Sequence, residues 1–103
     1  MNKKYLLFYF LFLILSPLGL LAQSVTVTGK VISSDDGYGL PGVTVTIKNG
    51  QGGTVTDIDG HYSINVDSKG TLVYSFVGFV TQEIPVNGRN TINVTLDQDA
   101  QML

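Results

Sequence analysis

The residues after position 22 predict an all-β domain of about seven short strands, an antiparallel sandwich or barrel. Three observations carry this. Apolar and polar residues alternate with a period of two, the signature of strands with one buried face. Clusters of Gly, Asp and Asn divide the alternating runs at regular intervals and supply the torsions that reverse a chain. No stretch after the leader carries a sustained helical stripe.

The first 22 residues differ in kind. Asn2-Lys3-Lys4 is a short basic start, and Leu6 to Leu15 is an unbroken apolar run. Ser16-Pro17 and Gly19 then break the run ahead of Leu20-Leu21-Ala22-Gln23. This order describes a secretory signal peptide, with Ala22–Gln23 as the expected cleavage point. The run is too short, and interrupted too early, for a bilayer span of roughly 20 residues.

Seven strands follow, near 24–33, 43–48, 53–56, 61–66, 71–77, 79–86 and 91–97. Val25 and Val27 alternate with Thr26 and Thr28; Val43, Val45 and Ile47 with Thr44, Thr46 and Lys48. Tyr62, Ile64 and Val66 alternate with Ser63 and Asn65; Ile92, Val94 and Leu96 with Asn93 and Thr95. The fifth strand is apolar on both faces, with Leu72, Tyr74 and Phe76 on one side and Val73 and Val77 on the other, so it is expected to be central or covered. Gly78 breaks the alternation and predicts a bulge or tight bend. Pro85 cannot donate to a ladder, which places its strand at an edge. The turns are Ser34–Gly37, Leu40-Pro41-Gly42, Asn49–Gly53, Asp57-Ile58-Asp59-Gly60, Ser68–Gly70 and Asn87-Gly88. The expected organisation is signal peptide 1–22, sandwich 23–98 and the start of a linker at 99–103.

Charge and composition narrow the function. The chain carries −2 overall, and without Lys3 and Lys4 four basic residues face eight acidic ones, giving −4. That balance lacks the clustered basic surface that nucleic acid requires and opposes binding to an anionic membrane. The absence of cysteine excludes disulfides, thiolate metal ligation and lipid attachment at a processed N-terminal cysteine.

Catalytic equipment is not apparent. His61 is the sole histidine and reads as a solvated side chain beside a turn. A zinc site needs about four ligands, which this composition does not supply. Asp57-Ile58-Asp59-Gly60 resembles the opening of a calcium loop, but the late bidentate Glu is missing and a β-turn is the better reading. Asp35-Asp36-Gly37 is likewise a turn. No serine sits in a nucleophile elbow, and Gly50-Gln51-Gly52-Gly53 lacks the Lys-Ser/Thr of a phosphate loop. Asn93-Val94-Thr95 fits a glycan acceptor pattern by chance, inside a strand. Tyr74, Phe76 and Phe79 could stack on sugar rings, but an apolar strand favours core packing. No cofactor is expected.

The order of short motifs is specific. Val27-Thr28-Gly29-Lys30-Val31 is followed by Leu40-Pro41-Gly42-Val43-Thr44-Val45 and by Gly53-Thr54-Val55-Thr56-Asp57-Ile58-Asp59-Gly60-His61-Tyr62. Leu72 to Phe79, through Phe76 and Gly78, and Thr81-Gln82-Glu83 complete the pattern. Together they resemble the carboxypeptidase-regulatory-like domain, in the version found at the N-terminus of SusC/RagA-like TonB-dependent outer-membrane transporters of Bacteroidetes. The resemblance implies a transthyretin-like Greek-key sandwich on the periplasmic side of the outer membrane. It makes Gly29, Leu40, Pro41, Gly42, Val43, Thr56, Asp57, Gly60, Tyr62, Phe76, Gly78 and Phe79 structural motif residues. Implied partners are the plug and barrel of the same transporter, the TonB complex and a surface lipoprotein. By resemblance the chain looks like a fragment that stops before a TonB box. It is expected to be monomeric alone, to dock rather than catalyse, and to offer an edge strand for docking. The competing expectations are a standalone glycan- or protein-binding or adhesion module, and an accessory domain of an enzyme encoded elsewhere.

Overall fold

The computed structural model describes residues 23–102. The leader expected at 1–22 lies outside the described residues. Seven strands form two sheets. In chain order they are β1 (Ser24–Ser33), β2 (Thr44–Ile47), β3 (Gly53–Val55), β4 (His61–Asp67), β5 (Thr71–Ser75), β6 (Gln82–Pro85) and β7 (Val94–Leu96). A single 3-10 turn (Ala100–Met102) follows. The first sheet runs β4-β1-β7 and the second β3-β2-β5-β6. The pairings of β1 with β4 and of β2 with β5 are the Greek-key crossings expected of this sandwich. Among the described residues no helix is long and apolar enough to cross a membrane.

The alternation read from the sequence faces the core as expected. Val27, Val31, Tyr62, Ile64, Val66, Val94 and Leu96 point inward from the first sheet, and Val43, Val45, Leu72 and Tyr74 from the second. Val86 and Ile92 close the two ends of the β6–β7 crossing. Each of these side chains removes apolar surface from water, at about 25 cal/mol per Å². β5 is central, between β2 and β6. On its outer face the Lys48–Glu83 ion pair (2.6 Å) spans the strand. β6, with Pro85, is an edge, as a residue without an N–H requires.

Several strand bounds and one strand direction are corrected. The fifth strand ends at Ser75, not Val77, and the sixth starts at Gln82, not Phe79. The cause is Gly78: its φ of 87° turns the chain, and the Phe79 N–H bonds back to the Phe76 carbonyl. Val77 rides the tip of this turn, 85% exposed, although its residue type suits a strand. The second strand spans 44–47 rather than 43–48, because Val43 bonds instead to Thr56 across the corner. The last strand is shorter, 94–96, and is parallel to β1 rather than antiparallel. It arrives by a crossover from the other sheet and not by a hairpin, so nothing obliges it to reverse direction.

One polar chain joins the two sheets through the core. The Tyr62 hydroxyl donates to the Ile92 carbonyl at 2.6 Å. Its proton is committed there, so the 2.6 Å contact between the two hydroxyls has Tyr74 donating to Tyr62. The rings meet edge to face at 5.6 Å between centroids. Burial pushes both phenols above their ordinary ionisation range, Tyr74 most strongly.

Candidate functional site

The motif residues lie mostly where backbone meets backbone. Gly29 pairs with Tyr62 in the β1–β4 ladder. A Cβ on Gly29 would stand 1.8 Å from the Ile92 carbonyl oxygen and 3.1 Å from the Tyr62 ring, so glycine alone admits both neighbours. At the β3–β4 corner the buried Thr56 hydroxyl donates to the Leu40 carbonyl (2.5 Å) and accepts from the Val43 N–H (2.9 Å). The Gly42 N–H bonds to the Thr56 carbonyl, and the Thr56 N–H to that of Val43. One threonine thus holds the Leu40-Pro41-Gly42-Val43 turn in place. Phe76, Gly78 and Phe79 form the turn described above; both rings pack partly against the core, 5.7 Å apart.

Asp57 organises the next turn. Its Oδ1 accepts the N–H groups of Asp59 and His61, both at 2.9 Å. The Asp57 backbone completes the turn through bonds with Gly60 and His61. The bond from the His61 N–H holds the carboxyl below its ordinary range. The His61 Nδ1 lies 4.0 Å from the same oxygen. Asp57, Asp59 and His61 bring three potential ligand atoms within 4.8 Å, and all three residues are exposed. One carboxylate oxygen is already engaged by two N–H donors, so the geometry is that of a turn, as the residues suggested. Tyr74 is buried in the core, while Phe76 and Phe79 are half-buried and line a shallow open cavity with Thr44, Ser75 and Thr81.

The strand edges are what the residue pattern could not show. On one flank the chain after β7 crosses to the second sheet. Val80 donates to the Asp97 carbonyl, Asp99 to that of Gly78, and the Gln82 amide reaches Thr95 O at 2.6 Å. This flank is stitched shut. On the other flank, among the described residues, β3 and β4 lie side by side without a ladder between them, joined only at the Thr56–Asp57 corner. Asn93, which a docking edge on the last strand would include, spends its side-chain oxygen on the Lys30 N–H at 3.0 Å.

Fold and surface define a small β-sandwich module, closed on one flank and open on the other. Residues 27–103 match the family model of the CarboxypepD_reg-like domain, and the chain belongs to that family. It is similar to the TonB-dependent receptor P3 of Formosa agariphila, 43% identical over 103 residues, or 99% of this chain and 10% of that protein. It is similar as well to the TonB-dependent receptor P39 of the same organism, 46% identical over 83 residues (80% of this chain, 8% of that protein). The TonB-dependent receptor SusC of Bacteroides thetaiotaomicron is 34% identical over 82 residues, again 80% of this chain and 8% of the relative. The chain thus spans a tenth or less of the length of these relatives.

Proposed function

We propose that this domain is a non-catalytic accessory module of a TonB-dependent outer-membrane nutrient importer. It acts by docking against other proteins at the periplasmic face. The observation that carries the reading is the similarity to TonB-dependent receptors along 99% of the chain. The physical character of the domain supports it. Thr56 and Asp57 spend side-chain oxygens on turn backbone groups, and Gly29 admits a close backbone approach, which favours a scaffolding role for the motif residues. Candidate partners are the plug and barrel of the same transporter, the TonB complex and a surface lipoprotein. Substrate choice would belong to the barrel.

Co-purification tests this. An affinity-tagged chain carrying its own leader, recovered from gently solubilised outer membranes, should enrich a TonB-dependent barrel, TonB or a surface lipoprotein over a tagged, unrelated periplasmic protein. Equal recovery in the two samples overturns the docking role. Turnover of a peptide or glycoside by the purified chain overturns the non-catalytic assignment.

A further inference from the structure

The ladder register decides which backbone groups are free to bind a partner. Thr28 donates to the Asn90 carbonyl and accepts from the Ile92 N–H, so its backbone groups point toward β7. Thr28 is opposite Ser63 in the β1–β4 ladder. In antiparallel pairs the bonded positions alternate, so the N–H and C=O of Ser63 point away from β1, and those of Asn65 do the same. His61 has this outward parity too, and Asp57 satisfies both its groups. Among the described residues nothing bonds the outward backbone groups of Ser63 and Asn65. Four hydrogen-bonding groups therefore stand open on one edge, a template for another strand.

The remaining edges are worse templates. β7 is covered by the 78–82 segment. β6 lacks a donor at Pro85, and β3 has three residues and begins at Gly53. Only β4 offers seven residues with a regular pleat, Tyr62, Ile64 and Val66 inward and His61, Ser63, Asn65 and Asp67 outward. A strand laid beside it would alternate in the same way, with apolar side chains continuing the core and the others beside the outward row. The charge at the ends of that row selects the partner. Asp57 and Asp59 stand at one end and Asp67 at the other, against Lys30 on the neighbouring strand and Lys69 in the turn. Of the domain's other cations, Lys48 is paired with Glu83, and Arg89 binds the Val86 and Pro85 carbonyls.

We propose that the outer edge of β4, at Ser63 and Asn65, is a docking edge that receives an extended, basic polypeptide segment of alternating cationic and apolar residues as an added strand. This deepens the docking reading above and rests on it. Backbone bonds supply the registration and the aspartates favour a cationic partner.

The probe is a short synthetic peptide of alternating lysine and valine, with a glutamate–valine peptide as counterpart, titrated into the isotope-labelled chain. The lysine peptide should bind and slow hydrogen exchange at the Ser63 and Asn65 amides, and bind at least about tenfold more tightly than the glutamate peptide. Ser63→Pro removes an outward N–H without touching the β1 ladder, and should weaken binding about tenfold while the melting temperature holds. Asp59→Lys, on an exposed side chain, tests the charge without a backbone change and should weaken the lysine peptide severalfold. Binding that ignores Ser63→Pro in a folded protein, or protection that appears at β3 or β6 instead, overturns the proposal. So does equal binding of the two peptides. The docking reading fails separately: if Ser63→Pro still enriches the barrel from outer membranes, this edge is wrong and docking stands. If the wild-type chain enriches nothing, docking falls whatever the peptide does.

Discussion

The two flanks of the sandwich end differently. At β6 and β7 the chain itself crosses from sheet to sheet and bonds to both, through Val80, Asp97, Gly78, Asp99 and Gln82. At β3 and β4 a single corner, made by Thr56 and Asp57, joins the sheets, and beyond it the strand edges stay separate. A short domain without disulfides thus secures one side with backbone bonds and leaves the other available. Closure costs conformational freedom over a long stretch of chain. A corner held by one hydroxyl and one carboxylate fixes far fewer residues.

Hydrogen exchange should expose that difference most sharply. The amides of Val80, Ile92 and Asp99 are bonded and those of Ser63 and Asn65 face water, so their protection should differ by about a thousandfold. Comparable rates at the two flanks would erase the distinction. Gly29→Ala should come next in size. It drives a methyl into the Ile92 carbonyl, and backbone cannot yield as a side chain does. We expect a loss of more than about 3 kcal/mol in urea denaturation. Gly78, whose added Cβ would meet nothing within 4 Å, should tolerate alanine with only the torsional cost of about 1 kcal/mol.

Thr56→Val keeps the shape of the open corner and deletes its hydroxyl. It should cost about 2 kcal/mol, because the Val43 N–H and Leu40 carbonyl lose their partner in a buried place. Tyr74→Phe should cost about 1 kcal/mol near neutrality and change the alkaline limb. Both phenols are held protonated by folding, with ionisation raised above the ordinary 10.0. Their contribution is complete below that value. It is lost as the pH climbs above it, because the unfolded chain releases its protons first. The variant should therefore lose stability less steeply above about pH 10 in chemical denaturation. The smallest effect belongs to Glu83→Gln. Its ion pair with Lys48 is half exposed, and removing it should shift stability by less than about 0.5 kcal/mol, less still in high salt.

Much of this was readable from residue order, and the failures have physical causes. Alternation reports which side chains face inward, so Val43, Val45, Ile64 and Leu96 were placed correctly. It carries no information about strand direction, which is why the parallel pairing of β7 was missed. The stretch from Val77 to Val80 has strand-forming residues but is governed by one glycine torsion, and local propensity lost to that turn. The Asp57–Gly60 turn was legible because an Asx turn is a local event. The Tyr62–Tyr74 bond and the free edge at Ser63 were not, since both depend on register between distant segments.

The parallel run of β1 and β7 also has a mechanical meaning. Tension applied between Ser24 and Leu96 acts along both strands in opposite senses, so their bonds are loaded in shear and must yield together. A hairpin pulled at its open end would unzip one bond at a time. Resistance to force is a matter of unfolding rate, and this arrangement sets the resisting bonds between the first and last strands.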